Sequence, residues 1–195
     1  MSAKRFIPIS ESVLSIAVKD AERVGTPLRE FIERVLAEVL RSMQYRSDIL
    51  EVLALSDLMD DLRRIGGALL PFSIVKLVID QMDDATYNQL LNEVRRMASW
   101  YGMLVKVKRG TDIDVIKLVL SVWFPDANIS ITSDEEGNNH LVVSSPNYSM
   151  RLTNLVLAVI EELCRSFGIN IISTSSTQGV VKVVMSFGTS KNISS

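Results

Sequence analysis

The sequence predicts an α+β protein in three parts: an N-terminal strand-helix-helix that requires a second copy, a central helical segment, and a C-terminal antiparallel sheet with two helices. Three observations lead there. Residues alternate over Arg5–Phe6–Ile7–Pro8–Ile9 before any helical pattern begins. Apolar residues at three-and-four spacing, punctuated by caps and stops, then occupy the chain as far as Ala98. From Met103 the period shortens to two, in short runs separated by glycine- and asparagine-containing turns.

In the first run Ile7 and Ile9 point to one side of a short strand and Phe6 and Pro8 to the other. Ser10 is placed to cap a helix that starts at Glu11. Val13, Leu14, Ala17, Val18, Ala21 and Val24 form its apolar face and Gly25 stops it. Thr26 as cap and Pro27 at the first helical position restart the helix, whose stripe is Leu28, Phe31, Ile32, Val35, Leu36, Val39, Leu40 and Met43. One strand has two unpaired edges, and two helices with one apolar face each enclose no core. Two copies resolve both problems, because strands paired antiparallel across a two-fold axis satisfy each other while four helices cover the apolar stripes.

The strand, Ser-Glu-Ser-Val-Leu at Ser10–Leu14, the helix closed by Gly25 and the second helix with Phe31–Ile32 in its apolar face together resemble the ribbon-helix-helix DNA-binding fold of the Arc, MetJ and CopG type. The resemblance covers about the first quarter of the chain. It implies a homodimer whose two-stranded ribbon enters the major groove of double-stranded DNA, with the start of each second helix on a phosphate. Carried over by position, Lys4, Phe6 and Pro8 face base edges, Arg5 adds a polar contact, and Thr26, Leu28 and Arg29 mark the phosphate-holding turn. The sequence departs from the pattern at Phe6 and Pro8. Base edges are read by hydrogen bonds, and neither side chain has a donor or acceptor, which leaves a thymine methyl as their natural contact.

Charge limits how such binding would work. The formal net charge is −2, so phosphate attraction must come from a local patch rather than from the field of the whole molecule. The first fifty residues carry eight basic and seven acidic groups, a net of one positive charge. The apolar run Ile65–Ile79 is too short and too interrupted, by Gly66, Gly67, Pro71 and Lys76, to span a membrane. With no apolar leader at the N-terminus, the expected location is the cytoplasm. The single cysteine, Cys164, falls among Leu155, Val156, Val159, Ile160 and Leu163 and reads as a buried structural thiol.

The expected domains are 1–46, the ribbon-helix-helix; 47–102, a helical linker or bundle; 103–188, an α+β sensing or oligomerisation domain; and 189–195, a disordered tail. In the central part Leu50–Leu62 forms a helix closed by Gly66–Gly67, and Pro71–Met82 a shorter one. Asp83–Asp84 caps a third with Tyr87, Leu90, Leu91, Val94, Met97 and Ala98 on its face. Asp57, Asp60 and Asp61 with Arg63–Arg64 read as a solvated face of local ion pairs.

Met103–Lys108 reads as a strand ended by Arg109–Gly110, and Asp112–Phe124 as a helix ended by Pro125. A hairpin of Ile129–Ile131 and Leu141–Val143 turns at Glu136–Gly137–Asn138. A helix over Met150–Phe167 and a hairpin over Ile169–Phe187, turning at Gln178–Gly179, repeat the order and suggest a duplication. Five strands and two helices resemble a ferredoxin-like arrangement with an added strand, loosely of the ACT type, which implies assembly or the sensing of a small-molecule or protein effector. Trp100, Tyr101, Trp123 and Phe124 are expected to close its core.

Sites of chemistry are scarce. No phosphate-cradling glycine loop, paired-cysteine spacing or nucleophile elbow occurs, and His140, the lone histidine, lies by the acidic hairpin turn Asp134–Glu136. Neither an enzyme, a metal nor a cofactor is expected. The sequence therefore points to a homodimeric or higher homo-oligomeric DNA-binding transcriptional regulator, such as a repressor. The competing reading is an interaction, scaffold or antitoxin-like protein, in which the first unit only dimerises and the C-terminal module holds a protein partner.

Overall fold

A computed structural model describes residues 7–45, 49–64, 66–68 and 70–187. The chain divides within its third helix into two compact units, Met1–Leu53 and Ala54–Ser195.

In the first unit, α1 (Glu11–Val24) and α2 (Leu28–Met43) are joined by a turn that the sequence encodes closely. Gly25 sits in the left-handed region at φ 69°, its amide donates to the Glu22 carbonyl, and the amide of Thr26 donates to Ala21. Among the described residues the expected strand is not formed: Ile7–Ser10 belong to no helix or strand, and Arg5 and Phe6 lie outside the described residues. A strand exists only against a second edge, and the described residues of this unit supply none. The start of α2 also differs from expectation. Pro27 is extended at ψ 136° and precedes the helix, so Thr26 stands one residue too far back to reach the first-turn amides and makes no capping bond.

The second unit holds the end of α3 (Ile49–Arg64), α4 (Phe72–Gln81), α5 (Asp84–Arg109), α6 (Ile113–Trp123), β1 (Asn128–Ser133), β2 (Asn139–Ser144), α7 (Met150–Phe167), β3 (Asn170–Thr177) and β4 (Val180–Ser186). Residues 54–102 therefore belong with the sheet. Asp83 caps α5 by accepting from the Thr86 amide at 2.9 Å, and Ser149 caps α7 by accepting from the Leu152 amide at 3.3 Å.

Met103–Lys108 is not a strand. It belongs to the last quarter of α5, because Ala98, Tyr101, Gly102 and Val105 continue a buried three-and-four stripe that outweighs the local alternation of valine and lysine. The sheet accordingly has four strands, all antiparallel, in the order β1-β2-β4-β3. This is two hairpins joined through their second strands and not a ferredoxin-like order. Both helix-hairpin units share one strand sequence, as a duplication requires, although α6 and α7 differ in length.

Leu141, Val143, Val181, Val183 and Met185 point from the central strands into a core completed by α5, α6 and α7. Tyr101 is fully buried, donates to the Leu58 carbonyl, and meets the Trp123 ring edge-on at 5.9 Å. Trp100 does not join this core and is 64% exposed. The expected tail, 189–195, lies outside the described residues.

Candidate nucleic-acid interface

The residues singled out for DNA contact fall at the start of the chain and at the turn into α2. Lys4, Arg5 and Phe6 lie outside the described residues. Pro8 is exposed between Ile7 and Ile9, which are 76% and 46% exposed. Thr26 and Leu28 are half-buried and Arg29 is exposed.

The start of α2 has free donors. The first amide to close a helical bond is that of Phe31, onto the Pro27 carbonyl at 2.9 Å, and the amides before it have no partner within a helix. No side chain caps them, and the buried Thr26 Oγ1 has no hydrogen-bond partner. The local field is mixed. Arg29 supplies positive charge, but its Nε donates to Glu33 at 2.8 Å, and Glu30 occupies the first turn. An anion here would engage the backbone donors and the helix dipole directly, with Arg29 released from Glu33 to reach it.

The apolar stripes beside this turn are only partly covered, with Phe31, Ile32 and Val39 half-buried. In α1 only Ala21 is buried, and in α2 no residue is. Val13, Leu14, Val35, Leu36, Leu40 and Met43 are all 39–60% exposed. Covering a leucine or valine side chain fully is worth about 1.5–3 kcal/mol, so this much open surface is a strong drive to association.

Two further clusters belong to the second unit. The Asp57, Asp60 and Asp61 group is not the solvated face its composition suggests. Asp60 does pair locally with Arg63, but Asp61 is buried and accepts from Lys108 Nζ at 2.5 Å, while Asp57 pairs with Arg109. These pairs tie α3 to the end of α5, and no sequence signal marks them, since their partners lie some fifty residues away. At the β1–β2 turn, Asp134 accepts from the amides of Glu136 and Asn138 and from His140 Nε2 at 2.9 Å. The His140 hydrogen bond is the main reason its carboxyl is held down at about 2. Burial pushes the Cys164 thiol up to about 12, which leaves it an inert core residue at neutral pH. Among the described residues no three His, Cys, Asp or Glu side chains gather as a metal site would need, and no helix is long and apolar enough to cross a membrane.

No protein-family model matches this chain, and no curated protein is similar to it in sequence.

Proposed function

We infer that the protein is a homodimeric DNA-binding transcriptional regulator of the ribbon-helix-helix type, a repressor in its simplest form, with the second unit serving assembly or effector sensing. The observation that carries this reading is the pair of largely exposed apolar stripes on α1 and α2, directly after a segment that belongs to no helix or strand and beside an uncapped helix start. Two copies would cover the stripes, pair the segments around Ile7–Ile9 into a ribbon, and set both α2 starts on one side of the dimer. DNA phosphates fit the free amides there, and Lys4, Arg5 and Arg29 fit the polar contacts of a ribbon in the major groove. Cytoplasmic location follows from that role.

A second reading keeps the dimer and drops the DNA. Phe6 and Pro8 give the outer ribbon face an apolar character that suits a protein partner, as in a scaffold or antitoxin.

A mobility-shift titration separates the two, using the full chain against its own promoter and a scrambled fragment across a salt series. Promoter-preferring binding should weaken steeply with salt, and Lys4→Ala/Arg5→Ala/Arg29→Ala should lose it. A well-folded dimer that shifts neither fragment at low salt would reject the regulator and leave the protein-partner reading.

A further inference from the structure

The two edges of the sheet are unlike. β1 is six residues long and is bracketed by acids, Asp126 before it and Asp134, Glu135 and Glu136 after it. β3 is eight residues long, and no charged residue lies anywhere between Arg165 and Lys182. An outer strand presents a row of unpaired backbone N–H and C=O groups, and proteins that must stay apart blunt it with charge, proline or brevity. β3 has neither charge nor proline. Its one irregularity, a bulge at Ile172, lies near its start, and pairing with β4 is then regular from Ser173 to Thr177. The outer side of β3 pairs with no strand among the described residues.

A groove of about 580 Å³ runs beside this edge, between Ile169, Ile171 and Ile172 on the strand side and Glu161 and Arg165 on α7. Ile172 is 52% exposed there.

We propose that β3 pairs antiparallel with β3 of a second copy of this chain across a two-fold axis, joining two four-stranded sheets into one of eight strands. Self-complementarity selects a second copy over a foreign strand. A two-fold axis sets the strand against itself, an arrangement that like charges oppose; β3 brings hydroxyls and no charge. The groove's charges also match themselves. Glu161 and Arg165 are four residues apart and face the groove together, so an antiparallel α7 from the second copy sets Glu161 against Arg165 twice. Each already has a partner within the chain, Arg165 in Glu162 at 2.8 Å and Glu161 in Arg95 at 3.5 Å. The Arg165 side chain is nonetheless 74% exposed and the Glu161 pair is long, so the seam would add a second partner to one and replace a weak pair of the other. The seam is distinct from the α1–α2 faces. It rests on the proposed dimer only in that copies already joined there meet at a higher effective concentration.

The test is hydrogen exchange on the full chain over a range of protein concentration. Those amides of Ser173–Thr177 that point away from β4 should exchange about tenfold more slowly or better at high concentration, while those of β1 stay unchanged. Thr174→Lys sets two cations across the axis and should abolish that dependence, with unaltered protection in α7 showing that the unit remains folded. Arg165→Glu should weaken it and Glu161→Arg/Arg165→Glu restore it. Outward-pointing β3 amides that exchange fast at every concentration overturn the seam, as does slow exchange there that survives Thr174→Lys. Promoter binding measured alongside separates the two readings. Binding with a freely exchanging β3 rejects the seam alone, and a concentration-protected β3 without binding rejects the regulator alone.

Discussion

α2 and α7 are amphipathic helices of 16 and 18 residues with opposite fates: no residue of α2 is buried, whereas ten of α7 are. Their sequences differ little in kind, since both carry leucine and valine at three-and-four spacing with charged residues opposite. What differs is the surface available within the chain. α7 lies on a sheet whose inward residues, Leu141, Val183 and Met185, come from the same unit. α2 has only α1. Amphipathic patterning therefore states that a face must be covered and is silent on what covers it; for α7 the sheet does so, and for α2 a second copy is the cover proposed.

The comparison is broken most forcefully by truncating one leucine in each helix. Leu163 is 1% exposed, so Leu163→Ala should lower the unfolding free energy of the second unit by about 2–5 kcal/mol in a denaturant titration, equally at every protein concentration. Leu40 is 60% exposed, and in an isolated chain Leu40→Ala would cost within about 0.5 kcal/mol. If a second copy covers it, the loss should be about 1–3 kcal/mol and should appear as weaker dimerisation in sedimentation equilibrium. A concentration-independent melt for Leu40→Ala, unchanged from the parent, would remove the argument for the dimer.

Two glycines sharpen the contrast at a smaller scale. Gly102 is where α5 meets α7, and a Cβ there would lie 2.7 Å from Ser166 Cβ. Gly102→Ala should cost about 1–2 kcal/mol, since a clash of about 2–3, high in the usual range because the contact is with a Cβ and not a flexible tip, is offset by about 1 of better helix propensity. A Cβ at Gly25 meets nothing within 4 Å, so Gly25→Ala carries only the cost of φ 69°, about 1 kcal/mol, detectable as lower helicity in the first unit. A larger loss at Gly25 than at Gly102 would mean that the α1–α2 turn is packed against something, and a second copy would be the natural cause.

Helix boundaries were legible because local chemistry writes them. Gly25, Asp83, Ser149 and Gly168 stop or start helices through left-handed backbone or capping bonds that involve only neighbouring residues. Both hairpins were legible for the same reason, with Gly137 and Gly179 at their turns. The missing Thr26 cap is a local departure, and the departures in the second unit are non-local. Met103–Lys108 alternates as a strand does, yet Val105 packs into the core beside Tyr101 as a helix residue. Asp61 looks solvated until Lys108 arrives from another helix. In the candidate interface the glycine turn and the start of α2 are legible from sequence to within a residue, and the four-residue spacing of Arg29 and Glu33 on one helix marks their pair in the same local way.

The smallest effect concerns the β1–β2 turn, where a local device is set within the well-packed unit. The Asp134 carboxyl titrates at about 2, against about 3.9 in an unfolded chain, chiefly because His140 Nε2 hydrogen-bonds it, with the Asn138 and Glu136 amides adding to the effect. A depressed carboxylate favours the folded hairpin at any pH above the unfolded value, and that contribution is lost as pH falls from about 4 through about 2. His140→Ala should therefore move the Asp134 carboxyl titration upward toward 4 while the two amide bonds keep it below an ordinary aspartate, as followed by carbon NMR. It should also bring faster amide exchange at the turn at pH 3, with no change in the exchange of Val159 or Leu163. An Asp134 titration unmoved by His140→Ala would mean that the backbone amides alone hold the carboxylate, and that His140 adds nothing to the turn.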